Sequence, residues 1–261
     1  MRESISELIK YRDLLYMMVW RVIRIKYKQS VIGIMWAVFM PMVIVGAGIL
    51  VRYGFALASH ASVDFNDLAG VSVKAVPWAF FVSTIRFSTN SLIGNPNLVT
   101  KIYFPKIIFP ISAMFSQIFD LVIASGLLGL VLAFMRIGLS IHVLWVPILL
   151  ALLVLFATGM GILLSAANLF YRDVKYLVEV IVTFAIFFTP VFYDVSMFGK
   201  WADIFLLNPV APILEGISAC VAHQRMPDIM WILYSAAASL TVFACAFAFF
   251  TKLEPLFAER I

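Results

Sequence analysis

Residues 143–168 read VLWVPILLALLVLFATGMGILLSAAN, from Val143 to Asn168, 26 residues without a formal charge. A bilayer core about 30 Å thick is crossed by roughly 20 residues of helix. Backbone groups in lipid must pair within their own segment, so such a stretch is read as a transmembrane helix. Working outward, the same reading applies to Ile32–Val51, Ala75–Ile93, Ile107–Met135, Tyr176–Tyr193 and Ile229–Thr251, which makes six predicted spans. The Tyr176–Tyr193 span is the weakest, because Glu179 shortens its uncharged core and Pro190 interrupts its end. The half-apolar segment Trp201–Ala222 follows, with Asn208-Pro209, Pro212, Glu215 and Gly216. It is too broken to cross lipid and is expected to dip in and return where protein or a water-filled cavity covers it.

The bulk numbers agree with a lipid-facing chain: 64% hydrophobic, 13% charged, mean hydropathy +1.04 over 261 residues. Six spans leave no room for a soluble module, so one membrane domain is expected. The net charge of +5 sits at helix ends and not on one soluble face, which excludes a nucleic-acid surface. Thirteen Lys and Arg fall on one side of the predicted topology, seven of them before span one; five fall on the other (Arg52, Lys74, Arg136, Lys200, Arg225), with Arg86 inside a span. The richer side is cytoplasmic, so both termini are expected there, and His60, His142 and His223 outside. Ala56-Leu57-Ala58 has a cleavage-site look, but the run ahead of it is too long for a signal peptide, and no cleavage is expected. Cys220 is expected in a polar loop. Cys245 lies about 24 Å deeper in the last span, too far for a disulfide.

Residues 4–28 read as an amphipathic interface helix. Ser4-Ile5-Ser6-Glu7 fits a capping box, and Ile5, Leu8, Ile9, Leu15, Val19 and Val22 recur at helical spacing on the face expected against the membrane. No phosphate loop, zinc motif or dinucleotide fingerprint occurs; Gly159-Met160-Gly161 lacks the rest of the last. No catalytic, cofactor-binding or metal site is expected, and an enzyme is disfavoured.

Charged residues lie inside spans, where a lone one costs on the order of 2.5–3.5 kcal/mol. Arg86 and Asp120 sit at depths differing by only about 4–5 Å, so they are expected to pair or to share a hydrated cavity. Glu179, four residues from Lys175, is expected to form a helix-end pair. Between spans two and three, Asn95-Pro96 starts a short helix, Pro96–Tyr103, with Asn as N-cap and Pro at the first position. Pro105 limits it. Leu98, Val99 and Ile102 share one face, and a two-turn helix needs a surface to dock on, either headgroups or a partner's groove.

Several stretches then match a known pattern: Lys26-Tyr27-Lys28-Gln29-Ser30-Val31-Ile32-Gly33-Ile34-Met35-Trp36 with Pro41, Asn97-Leu98-Val99-Thr100-Lys101-Ile102-Tyr103-Phe104-Pro105, Asn168-Leu169-Phe170-Tyr171-Arg172-Asp173-Val174, Thr189-Pro190-Val191-Phe192-Tyr193 and Asn208-Pro209. In this order they resemble the ABC-2 type polysaccharide export permeases, the membrane subunits of O-antigen, capsule and teichoic-acid exporters. The first stretch is most similar to the O-antigen and teichoic-acid branch. The resemblance implies an all-α integral membrane fold of six transmembrane helices, with an N-terminal interface helix and re-entrant outer gate helices before the last span. The chain would be one such domain, 1–261, divided into an interface helix (1–30), a membrane region (31–251) and a cytoplasmic tail (252–261). It also implies a homodimer in a bacterial cytoplasmic (inner) membrane, docked on two copies of an ATPase subunit that binds ATP and Mg²⁺, with no cofactor in this chain.

By the same resemblance, Asn97, Leu98, Val99, Lys101, Ile102 and Tyr103 form the helix that couples to the ATPase. The substrate is a lipid-linked polysaccharide, and rings able to stack on sugars along the path are Trp36, Phe39, Phe184, Phe187, Phe188 and Tyr193. The alternatives are an ABC-2 permease for a drug, peptide or lipid, and a transporter working without an ATPase.

Overall fold

The structure is a computed structural model that describes residues 7, 10–28, 33–59, 65–134, 138 and 140–260. The Ser4–Ser6 part of the expected capping box, Ile5, Leu8 and Ile9 of the N-terminal stripe, Gln29–Ile32, His60 and Arg136 lie outside the described residues.

The apolar runs fold as helices, and no strand occurs among the described residues. In chain order they are α1 (Arg12–Lys28), α2 (Trp36–Ser59), α3 (Phe65–Asn90), α4 (Pro96–Lys101), α5 (Ile108–Phe134), α6 (Val146–Phe170), α7 (Val174–Phe188), α8 (Ala202–Leu206), α9 (Val210–Val221), α10 (Ile229–Leu253) and α11 (Phe257–Arg260). Among the described residues, five helical stretches are long and apolar enough to cross a membrane: Trp36–Gly54, Leu68–Asn90, Ile108–Phe134, Ile141–Phe170 and Ile229–Leu256. The expected span Tyr176–Tyr193 is instead α7, 15 residues and about 22 Å long. It stops at Phe188 because Thr189, ahead of Pro190, takes extended angles (φ −116°, ψ 134°), the region a residue before proline is driven to.

Two loop assignments are corrected. α3 begins at Phe65 rather than Ala75, which brings Lys74 inside the helix and fully buries it. Arg52 likewise lies within α2 and is buried. Charges read as loop residues are held inside because opposite charges meet them there, as described below. Cys220 is also no loop residue: it is buried in α9, while Cys245 is exposed on α10, and both are free thiols.

α3 is the hub, packed against α2, α5, α6, α7 and α9; α6 runs along α10, and α1 lies on α5. The α6–α10 approach is close enough that a Cβ on Gly159 would come within 2.8 Å of Phe243 Cα, the small-residue contact by which membrane helices gain packing. Gly161 does the same toward α3, where a Cβ would meet Ser88 Cβ at 2.7 Å. Among the described residues, buried apolar side chains gather in a small cluster of Ile85, Val178 and Val182 and in two large ones. One lies toward α9, around Trp78, Phe80, Leu149, Leu153, Ile213 and Leu214. The other lies toward α4, around Met18, Leu92, Val99, Phe109, Phe250 and Phe257. The apolar stripe of α1 serves this second cluster: Leu15 packs on it and Met18 is buried in it, whereas Tyr16, Met17, Trp20 and Ile25 are exposed. Leu15 of the stripe expected against lipid therefore packs on the protein's own helices.

Candidate functional site

At the α4 end the chain makes a small projecting knob. Pro96 starts α4 as expected, but Asn95 does not cap it: its Nδ2 donates back to the Ser91 carbonyl at 2.9 Å. The backbone carbonyl of Asn95 accepts from the Leu98 and Val99 N–H groups, at 3.1 Å each. The helix ends at Lys101, two residues short of the expected Tyr103, because Ile102 turns extended (φ −123°, ψ 133°). The expected shared face is thereby divided. Val99 is buried, Leu98 half-buried, Ile102 half-exposed and Tyr103 95% exposed. Asn97 and Lys101 are exposed beside them. Burial lowers the Lys106 ammonium from its ordinary range, against the opposing pull of Glu254.

The intramembrane charges do not pair with each other. Asp120 takes Lys26 on one oxygen and the Tyr27 hydroxyl on the other, and Lys26 Nζ also donates to Gln117 Oε1 at 3.0 Å. Burial, then the adjacent Asp120 carboxylate, raises the Tyr27 phenol far above its ordinary range. Arg86 Nε sits 2.8 Å from Glu179 Oε2, off the N–H direction, so the contact is an ion pair and not an aligned hydrogen bond. Glu179 is thus held by Arg86 of α3, not by Lys175. Matching depth does not fix rotation: α1 presents Lys26 to α5, and α7 presents Glu179 to α3. Arg86 and Asp120 do share one cavity of about 340 Å³, otherwise walled largely by apolar residues including Met40, Ile44, Val76 and Leu121. The sequence places Lys26 in the basic flank of span one and both residues in the first resembling stretch, with no role for either toward Asp120. The readable signal was an acid in a span with two hydrogen-bond donors at its entrance.

The opposite end holds a second ionic cluster that sequence reasoning missed. Lys74 Nζ donates to the Tyr193 carbonyl (2.7 Å), Asp194 Oδ1 (2.8 Å) and Glu215 Oε1 (3.3 Å). Arg52 Nη1 lies 3.4 Å from Asp194 Oδ2. Two cations of α2 and α3 thus clasp two anions of the segment after α7. Burial would raise the Asp194 carboxyl, but Lys74 and Arg52 together hold it below its usual range. Glu215 goes the other way: burial raises it more than Lys74 lowers it, with Asp194 adding repulsion. This end is also where the Asn208 amide reaches Thr189 Oγ1 at 2.9 Å. α9 lies covered by α3, α6 and α10.

The aromatic candidates fall in separate places. Trp36 lines the cavity and meets Phe39 edge-on, with ring centres 5.3 Å apart. Phe184, Phe187 and Phe188 are exposed on α7. Tyr193 is half-buried; its hydroxyl donates to the Phe187 carbonyl at 3.0 Å, and its ring meets Phe198 and Phe205 edge-on.

The remaining shared stretches prove to be joints. Gly33 turns the chain into α2 at φ +57°, a left-handed angle that glycine adopts without strain. Asn168 donates to the Thr89 carbonyl at 2.9 Å and accepts from the Lys175 N–H at 3.2 Å, tying α6 to α3 and to the start of α7.

The chain is 26% identical over 262 residues, 98% of each protein, to the "O-antigen export system permease protein RfbA" of Myxococcus xanthus. It is 26% identical over 253 residues, 95% of this chain and 94% of the relative, to a protein of that name from Klebsiella pneumoniae. A second Klebsiella pneumoniae protein of that name is 25% identical over 250 residues, with the same coverage. The family model described as ABC-2 type transporter matches residues 13–221, which takes in the Lys26–Asp120 anchor, the α4 knob, the Lys74 cluster and all of α9; the chain belongs to the ABC-2 type transporter family.

Proposed function

We propose that this chain is the membrane permease subunit of an ATP-driven exporter that moves a lipid-linked polysaccharide outward across the cytoplasmic membrane of a bacterium. It works as a homodimer with two copies of a separate subunit that binds ATP and Mg²⁺ and hydrolyses the nucleotide. The observation that carries this reading is the α4 knob: a helix too short to stand alone, anchored by buried Val99 and presenting exposed Ile102 and Tyr103. The likeness to O-antigen export permeases supports the choice of cargo.

Closure of the ATPase pair would press on α4, which continues through Ser91–Asn95 into α3 and through Phe104–Ile107 into α5. α3 is a 26-residue helix carrying Arg86 near that end and Lys74 about three turns beyond Arg86, with Pro77 between them. A push at α4 therefore reaches the Asp194–Glu215 segment through Lys74, and a bistable interface of this kind can switch a path open. In this reading α7, continued by the chain to Tyr193, completes a sixth crossing, and α8 and α9 form the re-entrant gate. Both termini then lie in the cytoplasm.

The test is reconstitution of the chain with its ATPase into proteoliposomes. Ile102→Asp with Tyr103→Asp should abolish ATPase association and export while leaving the chain folded. Transport that persists without any ATPase would replace this reading with that of an autonomous carrier.

A further inference from the structure

The last eight residues, Glu254 to Ile261, follow the final long helix and read as a tail. The structure treats their described part as something else. After α10 the chain turns through Glu254–Leu256, and α11 packs directly against α4 and α6. Phe257 is fully buried, with ring centres 5.0 Å from Phe250 and 6.0 Å from Phe170. Its cluster is the one that holds Val99, the buried side chain of α4. The Glu254 carboxylate accepts the backbone N–H of Lys106, at the turn that leads from α4 into α5. The carboxy-terminal segment thus grips the knob at both ends: α11 against the helix itself, Glu254 at its exit.

We propose that Glu254 and Phe257 are positioning residues of the coupling element, so that the carboxy-terminal segment is a brace that keeps α4 rigid under load. A six-residue helix has too few internal hydrogen bonds to hold its shape against a push. Without a support beneath it, a stroke delivered to Ile102 and Tyr103 would be spent in local unfolding of 96–103. The brace joins α4 to α10, the helix packed along α6, and so makes the knob part of the bundle. The role in transmitting force rests on the function proposed above; the stiffening of α4 does not.

Hydrogen exchange on the purified full-length chain tests the brace. Phe257→Ala and Glu254→Ala should each speed amide exchange across 96–103 by about tenfold or more, with 146–170 unchanged, because local opening of a small element does not require global opening. Leu256→Ser, at an exposed neighbour, should change neither. Unchanged exchange across 96–103 in both variants overturns the proposal. If Phe257→Ala loosens 146–170 as well, Glu254→Ala, which leaves no buried void, decides by the same criterion.

A second measurement addresses coupling. With the ATPase bound, Glu254→Ala should retain ATP hydrolysis within about twofold and lose export by about tenfold. Equal losses in both would mark a merely structural role and overturn the coupling part. Failure of the unmodified chain to bind an ATPase would refute the function proposed above while leaving the exchange result standing.

Discussion

Replacing Lys74 with Met removes the one ammonium that satisfies three acceptors at once while keeping the length and packing of the side chain. Two of those acceptors are carboxylates at 2.8 and 3.3 Å. With an effective dielectric of about 20, the gross attractions are about 6 and 5 kcal/mol. The cost of burying the ammonium cancels much of that sum, and breaking a buried pair by deleting one partner costs about 3–5 kcal/mol net. Asp194 keeps Arg52 at 3.4 Å, which places the expected loss toward the lower half of that range. At roughly 2–4 °C per kcal/mol for a chain of this size, K74M should unfold about 6–15 °C lower. The assay is thermal unfolding of the purified protein in detergent, paired with limited proteolysis across 194–206. Adding Glu215→Gln should recover part of the loss, since it removes the carboxylate left with least compensation; the double-mutant cycle measures the coupling. A K74M protein that melts within about 3 °C of the parent, with 194–206 equally protected, would refute the claim that this cluster holds the segment after α7.

Three further outcomes follow from the geometry. Asp120→Asn leaves Lys26 without its anion in a half-buried site and should cost about 2–3 kcal/mol, read as faster protease cleavage within α1. Gly159→Ala drives a Cβ to 2.8 Å from the α10 backbone and should destabilise by about 1–3 kcal/mol. Gly126→Ala, which meets nothing within 4 Å, should be neutral or mildly stabilising by thermal unfolding. The two carboxyls of the Lys74 cluster also have opposite pH signatures. Glu215 is raised in the fold, so its proton is held more tightly there and stability rises as pH falls from the raised value toward the ordinary 4.5. Asp194 is lowered, so its contribution is intact above 3.8 and disappears only as pH falls through its depressed value. Unfolding followed between neutral pH and 4.5 should therefore show a gain that Glu215→Gln reduces.

Residues that act on their own chain neighbours were legible in advance. Pro190 forced Thr189 extended and ended α7; Pro96 began α4; runs such as 143–168 could only be helix. Each of these follows from backbone sterics or from burial summed along one segment. The ends of helices were less legible where a charge intervened. Lys74 looked like a loop boundary because lysine avoids the interior, and nothing nearby in sequence announces Asp194 and Glu215, which lie 120 and 141 residues on.

The linear chain was thus sufficient to decide helix, membrane class and the presence of a short helix between the second and third long ones, since hydrophobic periodicity and proline geometry are local. Only the folded molecule decided that Asp120 answers to Lys26 and Tyr27, that Arg86 answers to Glu179, and that Phe257 sits beneath α4. An ion pair or a brace depends on how each helix is rotated about its axis and which helix stands beside it. That information arises when α1, α3, α5 and α10 pack together, and no window along the chain contains it.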